Sequence, residues 1–280
     1  MSAFGDRLRT ALDARGQLCV GIDPHPFLLR AWGLGDDAAG LAELGLRVVE
    51  ACAGRVGVVK PQVAFFERHG AAGYAALEQV LAAARAAGLL VIADVKRGDI
   101  GSTVEAYGQA WLSPGSPLEA DAMTIVAYQG TGSITAPRDL ALASGKGLFV
   151  LAATSNPEAA ATQRARRADA RTVAAGIVAE VRDWNAAAGG GPLGSVGVVV
   201  GATLELAGYG FTGADLAGVP VLSPGFGAQG ARFEQLRPIF GPAAGQVLLS
   251  ASRSVLEAGP EGIAEAVRAS AAAVREAAAS

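Results

Sequence analysis

The residues that could do chemistry cluster in one stretch, VIADVKRGDIGST (91–103), where an apolar run turns directly into Asp94, Lys96, Arg97 and Asp99. Charge placed where a core strand emerges is costly unless it is paired. Asp94 and Lys96 are two positions apart, the spacing that puts both side chains on one face of a strand. Lys60 ends a second apolar run, VGVVKP (56–61), and can approach both from a neighbouring strand. A Lys–Asp–Lys alternation keeps the carboxylate ionised and the ammonium groups protonated, because each opposite charge favours the charged form. Preplaced ammonium groups of this kind can stabilise negative charge that develops on a substrate. Asp99 lies beyond the end of the strand, so strand alternation does not place it.

A second group of residues points to a phosphate. SPGFGAQG (223–230) is a glycine-rich turn, and SASRSV (250–255) offers backbone N–H groups together with Arg253 where another apolar run ends. Backbone donors at helix N-termini bind anions. Other polar residues also follow apolar runs: Asp23 after LCVGI, and Thr154, Ser155 and Asn156 after GLFVLAA.

Positioning all of these on one face requires a particular architecture. Eight short, nearly continuous apolar runs can be read as strands: 18–23, 56–61, 89–95, 122–127, 147–154, 195–202, 219–225 and 246–252. Continuous apolar strands are covered on both faces. Between several of them lie stretches with apolar residues at helical spacing and glycine at the end, such as YAALEQVLAAARAAG, and a final helix runs through EGIAEAVRASAAAVREAAA. Eight βα units in ~250 residues predict an α/β fold, a single (β/α)8 TIM barrel over residues 1–280, in which every strand's C-terminal end opens onto the active-site face. The opposite strand ends show no comparable polar set. A doubly wound open sheet is the alternative. The glycine-rich AAAGGGPLGS (186–195) reads as a loop, and the basic run QRARRADAR (163–171) reads as a solvated helix face.

Composition narrows the function classes. A chain that is 51% hydrophobic and 18% charged is globular, and a net charge of −3 argues against a nucleic-acid partner. No run reaches the ~18 apolar residues of a membrane helix. The N-terminal stretch carries charges throughout with no signal-peptide core, so a cytoplasmic location is expected and no membrane partner. Cys19 and Cys52 have no metal or redox spacing and read as reduced core thiols. With only His25 and His69, a histidine-based metal site or a Ser-His-Asp triad is not expected, although His25 follows a charged strand end and could line a site.

The ordered set GIDP (21–24), Lys60 in VVKPQ, Asp94-x-Lys96-x-x-Asp99 in DVKRGDIGST, TSNP (154–157), SPGFGAQG and SRS (252–254) resembles the orotidine 5'-phosphate decarboxylase family over nearly the whole chain, in its longer, KRGDIGST-type branch. The resemblance implies conversion of orotidine 5'-phosphate to uridine 5'-phosphate, the last step of de novo pyrimidine synthesis, without a cofactor or metal. It implies that Lys96 protonates C6 as carbon dioxide leaves, that Asp94 sits beside the departing carboxylate, and that Lys60 orients that carboxylate and contacts the ribose. It further implies a homodimer in which Asp99 reaches the partner's site, with Ile100 lining the pocket and Thr103 near the ribose and phosphate. Asp23 is expected on a ribose hydroxyl, Ser155 on the pyrimidine edge (with Thr154 as the neighbouring choice), and Gln229 and Arg253 on the phosphate. The rival readings are a magnesium-dependent sugar-phosphate synthase or decarboxylase on the same barrel, a Schiff-base aldolase using Lys60 or Lys96, and a non-catalytic phosphate-ligand binding barrel.

Overall fold

The computed structural model describes residues 2–189, 191–227 and 230–279. Eight parallel strands close into a barrel in sequence order: β1 (Leu18–Ile22), β2 (Val58–Pro61), β3 (Leu90–Arg97), β4 (Ala122–Ile125), β5 (Gly147–Ala153), β6 (Val196–Val200), β7 (Val221–Pro224) and β8 (Val247–Ala251), which pairs back onto β1. All eight predicted strands are present. Around them run α1 (Phe4–Arg15) before β1, then α2 (Pro26–Ala31) and α3 (Ala38–Cys52), α4 (Val63–Glu67) and α5 (Gly70–Ala86), α6 (Gly101–Leu112), α7 (Thr135–Ala143), α8 (Ala159–Gln163) and α9 (Val173–Ala188). After β7 come α10 (Leu236–Phe240) and, after β8, α11 (Arg253–Leu256) and α12 (Gly259–Ala279).

Three local expectations are corrected. The sixth unit has no α-helix: two 3-10 turns, Leu206–Tyr209 and Gly213–Leu216, join β6 to β7 through a segment whose repeated glycines disfavour a longer helix. The loop expected at 186–195 starts only after the last turn of α9. The basic run 163–171 is not a helix face. Helix α8 stops at Gln163, an isolated bridge joins Arg166 to Thr172, and Ala170 takes a positive φ of 65°. Arg171 pairs with Asp169 within this turn, while Arg167 reaches Glu180 on α9. Local acid partners therefore neutralise much of the basic run.

Side-chain alternation divides the core in two. Outward-facing strand residues such as Val20, Val59, Val91 and Ala93 pack against the helices. Inward-facing Cys19, Val58, Ile92, Ala122, Phe149, Leu222 and Leu248 fill the barrel, and Phe4, Leu8 and Leu12 of α1 plug it from below. Phe4 meets Phe149 edge-on with ring centroids 6.1 Å apart. Gly147 makes room for this plug, since a Cβ there would lie 2.3 Å from the Phe4 ring.

The lower end carries its own buried charges, contrary to expectation. Asp121, just before β4, accepts the Val91 amide and pairs with Arg7 of α1, and Lys146, just before β5, pairs with Glu119. These pairs tie the plug and the strand starts together.

Candidate active site

On five of the eight strands the inward line carries polar groups two to four residues above the apolar plug, and that step of the strand period builds much of the site. Above Cys19 come Gly21 and Asp23; above Val58 come Lys60 and Gln62; above Ile92 comes Asp94; above Ala122 comes Thr124; above Leu248 come Ser250 and Ser252. Of these, Asp23, Lys60, Gln62, Asp94, Ser250 and Ser252 border a cavity of about 440 Å³ at the C-terminal end of the barrel. Leu151, Val199 and Leu222 supply apolar lining, and Thr154, Ser155, Asn156, Pro224, Gly225, Phe226 and Arg253 complete the wall. Gly21 is needed for closeness: a Cβ there would lie 2.7 Å from Cβ of Ser252.

Asp94 is the hub. It is 7% exposed, and its two oxygens accept four donors. Lys60 Nζ (2.9 Å) and Gln62 Nε2 (3.0 Å) donate to Oδ2; Lys96 Nζ (2.6 Å) and the Thr124 hydroxyl (2.9 Å) donate to Oδ1. Burial pushes the Asp94 carboxyl upward, but the charges of Lys60 and Lys96 and their hydrogen bonds outweigh it and hold the group well below the usual carboxylate range. Burial likewise works against the Lys60 ammonium, and the charges of Asp94 and Asp23, with the Asp94 hydrogen bond, hold it above the ordinary lysine range. Lys60 lies 3.9 Å from Asp23 Oδ1, an oxygen that is buried and has no hydrogen-bond partner among the described residues. Ser252 Oγ, also on the wall, is in the same condition.

Lys96 meets Asp94 as expected, but not through regular alternation. The β3–β4 pairing steps from Ala93↔Met123 to Arg97↔Ile125, so β3 carries two more residues than β4 across this interval. Within this bulge Lys96 has φ = 47°, a left-handed conformation that costs a non-glycine residue about 1–3 kcal/mol. Its side chain remains 45% exposed while its tip holds Asp94. Arg97 turns away to Glu67 and Tyr74, and its guanidinium lies over the Tyr107 ring. Only one of the two adjacent cations therefore enters the site.

The remaining expected residues divide clearly. The Thr154 hydroxyl is engaged by Gln163 and Asn156, whereas Ser155 lines the cavity with no hydrogen bond to its hydroxyl among the described residues. Arg253 opens α11 on the cavity wall, and its guanidinium has no ion pair or hydrogen bond among the described residues. Asp99, Ile100 and Thr103 are outside the cavity lining; Ile100 is 60% exposed, and the Asp99 carboxylate accepts only the Ile100 amide among the described residues. Gln229 lies outside the described residues. His25 packs 4.2 Å from the Phe65 ring and does not line the cavity.

Gln62 and Thr124 were missed. Gln62 sits two residues after Lys60 and so shares its strand face. Thr124 is the lone polar residue of an apolar strand. Both signals were present in the sequence.

The model of the family described as "Orotidine 5'-phosphate decarboxylase / HUMPS family" matches residues 16–269. An orotidine 5'-phosphate decarboxylase of Salinispora arenicola is 56% identical over 93% of this chain and 92% of its own length. A crystal structure from Streptomyces avermitilis is 49% identical, covers 100% of this chain and 97% of that one, and superposes with a TM-score of 0.94. The OMP decarboxylase of Leishmania donovani is 28% identical, with 99% of both chains covered and a TM-score of 0.79.

Proposed function

The chain belongs to the orotidine 5'-phosphate decarboxylase / HUMPS family and decarboxylates orotidine 5'-phosphate to uridine 5'-phosphate, and we propose that it does so with the Lys60–Asp94–Lys96 group acting directly on the pyrimidine. The observation that carries this mechanism is the buried, ionised Asp94 with an ammonium on each of its oxygens. The bond from C6 to the carboxyl carbon breaks, and its electron pair stays on C6. That carbon takes a proton from Lys96 Nζ, and carbon dioxide departs. The neutral amine regains a proton from solvent, which the partly exposed Lys96 side chain can reach. No cofactor spreads the developing charge, so preorganised cations must stabilise it.

In this proposal Asp94 faces the leaving carboxylate, and Lys60 orients it and contacts the ribose. Asp23 takes a ribose hydroxyl, a role supported by its unpartnered buried oxygen. Ser155 takes the pyrimidine edge, supported by its free hydroxyl beside the engaged Thr154. Arg253 takes the phosphate. Phosphate binding far from C6 can be spent on ordering the site around the reacting carbon.

The proposed active form is a cytoplasmic homodimer in which Asp99 enters the partner's site beside Ile100 and Thr103. Its support is that Asp99 has no ion pair among the described residues and stands apart from its own chain's cavity. The mechanism is tested by following the absorbance of orotidine 5'-phosphate with a chelator present. Undiminished turnover is expected, and loss of activity that magnesium restores would favour a metal-dependent reaction instead.

A further inference from the structure

Thr124 is 1% exposed at the centre of β4 and does not line the cavity. Its place is set by the bulge, because residues 94–96 of β3 all lie opposite this one residue. The hydroxyl bridges the interval. It accepts the backbone N–H of Lys96 at 2.9 Å and donates to Asp94 Oδ1 at 2.9 Å. Both directions are fixed by chemistry, since an amide N–H can only donate and an ionised carboxylate can only accept. The same Oδ1 receives the Lys96 ammonium at 2.6 Å. A closed ring results, running from the Lys96 backbone through Thr124 and Asp94 to the tip of the Lys96 side chain.

We propose that Thr124 is a positioning residue for the decarboxylation. It touches no part of the cavity, and it pins the Lys96 backbone in its left-handed conformation while holding Asp94 against the Lys96 tip. The inference rests on the reading of Lys96 as proton donor. A non-glycine residue stays in the left-handed region only when its surroundings over-determine it. Here one surrounding group, the hydroxyl, binds the strained residue at its amide and fixes the partner of its ammonium. Without it the Lys96 amide loses its acceptor, the backbone can relax toward an ordinary conformation, and Nζ moves off line. A displacement of ~1 Å in a reacting group costs about a hundredfold in rate.

The test compares Thr124→Val, which keeps the shape and removes both bonds, with Thr124→Ser, which keeps the hydroxyl. Thr124→Val is expected to lower kcat about a hundredfold. Its affinity for uridine 5'-phosphate, measured by calorimetry, should stay close to the parent's, because no nucleotide contact is removed. Thr124→Ser should restore most of kcat. If Thr124→Val does not fold, as judged by its thermal transition, Thr124→Ala against Thr124→Ser makes the same comparison. The inference is overturned by a valine variant with near-parental kcat, by a loss of nucleotide affinity matching the loss of kcat, or by a serine variant as impaired as valine. A Lys96→Ala enzyme with normal turnover overturns the proton-donor reading, and this inference with it.

Discussion

Asp94 and Asp99 stand on one short stretch of chain in opposite electrostatic situations. Asp94 is buried and holds four donors, three on strands and Gln62 just past the end of β2; Asp99 is half-buried, holds one backbone amide and has no ion pair among the described residues. The first is fully committed within its own barrel, and the second has its charge available for another partner.

That contrast makes the shared-site reading testable without a further structure. Lys96→Ala and Asp99→Ala homodimers should each be nearly inactive. In a mixed dimer one site carries both lesions and the other carries neither. Dissociating and reassociating an equal mixture should recover about one quarter of parental activity, if pairing by the symmetric interface is random. Mixed dimers that form, as shown by a mass tag, and remain inactive would return Asp99 to its own chain.

Replacing Asp94 with Asn removes the shared counter-charge of Lys60 and Lys96 and leaves Lys60 only the more distant Asp23, 3.9 Å away. Breaking a buried pair costs about 3–5 kcal/mol, which denaturant titration at neutral pH would read directly. The pH dependence has a definite sign. The folded-state pKa of Asp94 is depressed, so its stabilisation is complete above the unfolded value of about 4 and is lost as pH falls through that value toward the folded one. The Asn variant should therefore show a shallower loss of stability on acidification than the parent. Equal slopes would remove Asp94 from the acid response.

Arg253→Ala should weaken uridine 5'-phosphate far more than uridine. A hydrogen bond to a charged group is worth roughly 1.5–3 kcal/mol, or about one to two powers of ten in affinity. Equal losses for nucleotide and nucleoside, measured by calorimetry, would take Arg253 out of the phosphate site.

Cys19 and Cys52 are both buried free thiols, and burial pushes each up to about 12. Thiolate is the reactive form. At pH 8 the folded protein should be nearly inert to a thiol reagent, and both cysteines should react once denaturant is added. Rapid labelling of native protein at either position would contradict their place in the core.

Most of the barrel was legible because parallel strands covered on both faces leave an unbroken apolar trace, and each of the eight traces became a strand. The polar layer was legible for a related reason: Asp23, Lys60 and Asp94 interrupt such traces at their ends. Less legible were features fixed by contacts across the fold. Residues 163–171 have helical composition, but acids at 169 and 180 capture their arginines and leave a bridged turn. The bulge in β3 depends on pairing with β4, which no single strand reveals. Thr124 stands out in the sequence only as the lone polar residue of an apolar strand, and its importance comes from what lies opposite it.

The bulge also bears on how this enzyme could be redesigned. It adds an even number of residues, so the facing of every side chain beyond it is preserved. Deleting Val95 and Lys96 would thus let β3 and β4 pair without interruption, relieve the left-handed residue and keep the downstream alternation intact. That gain is offset by the loss of the buried Val95 side chain and of the Lys96 ammonium that pairs with Asp94, so the bulge is bound up with the core as well as with the site.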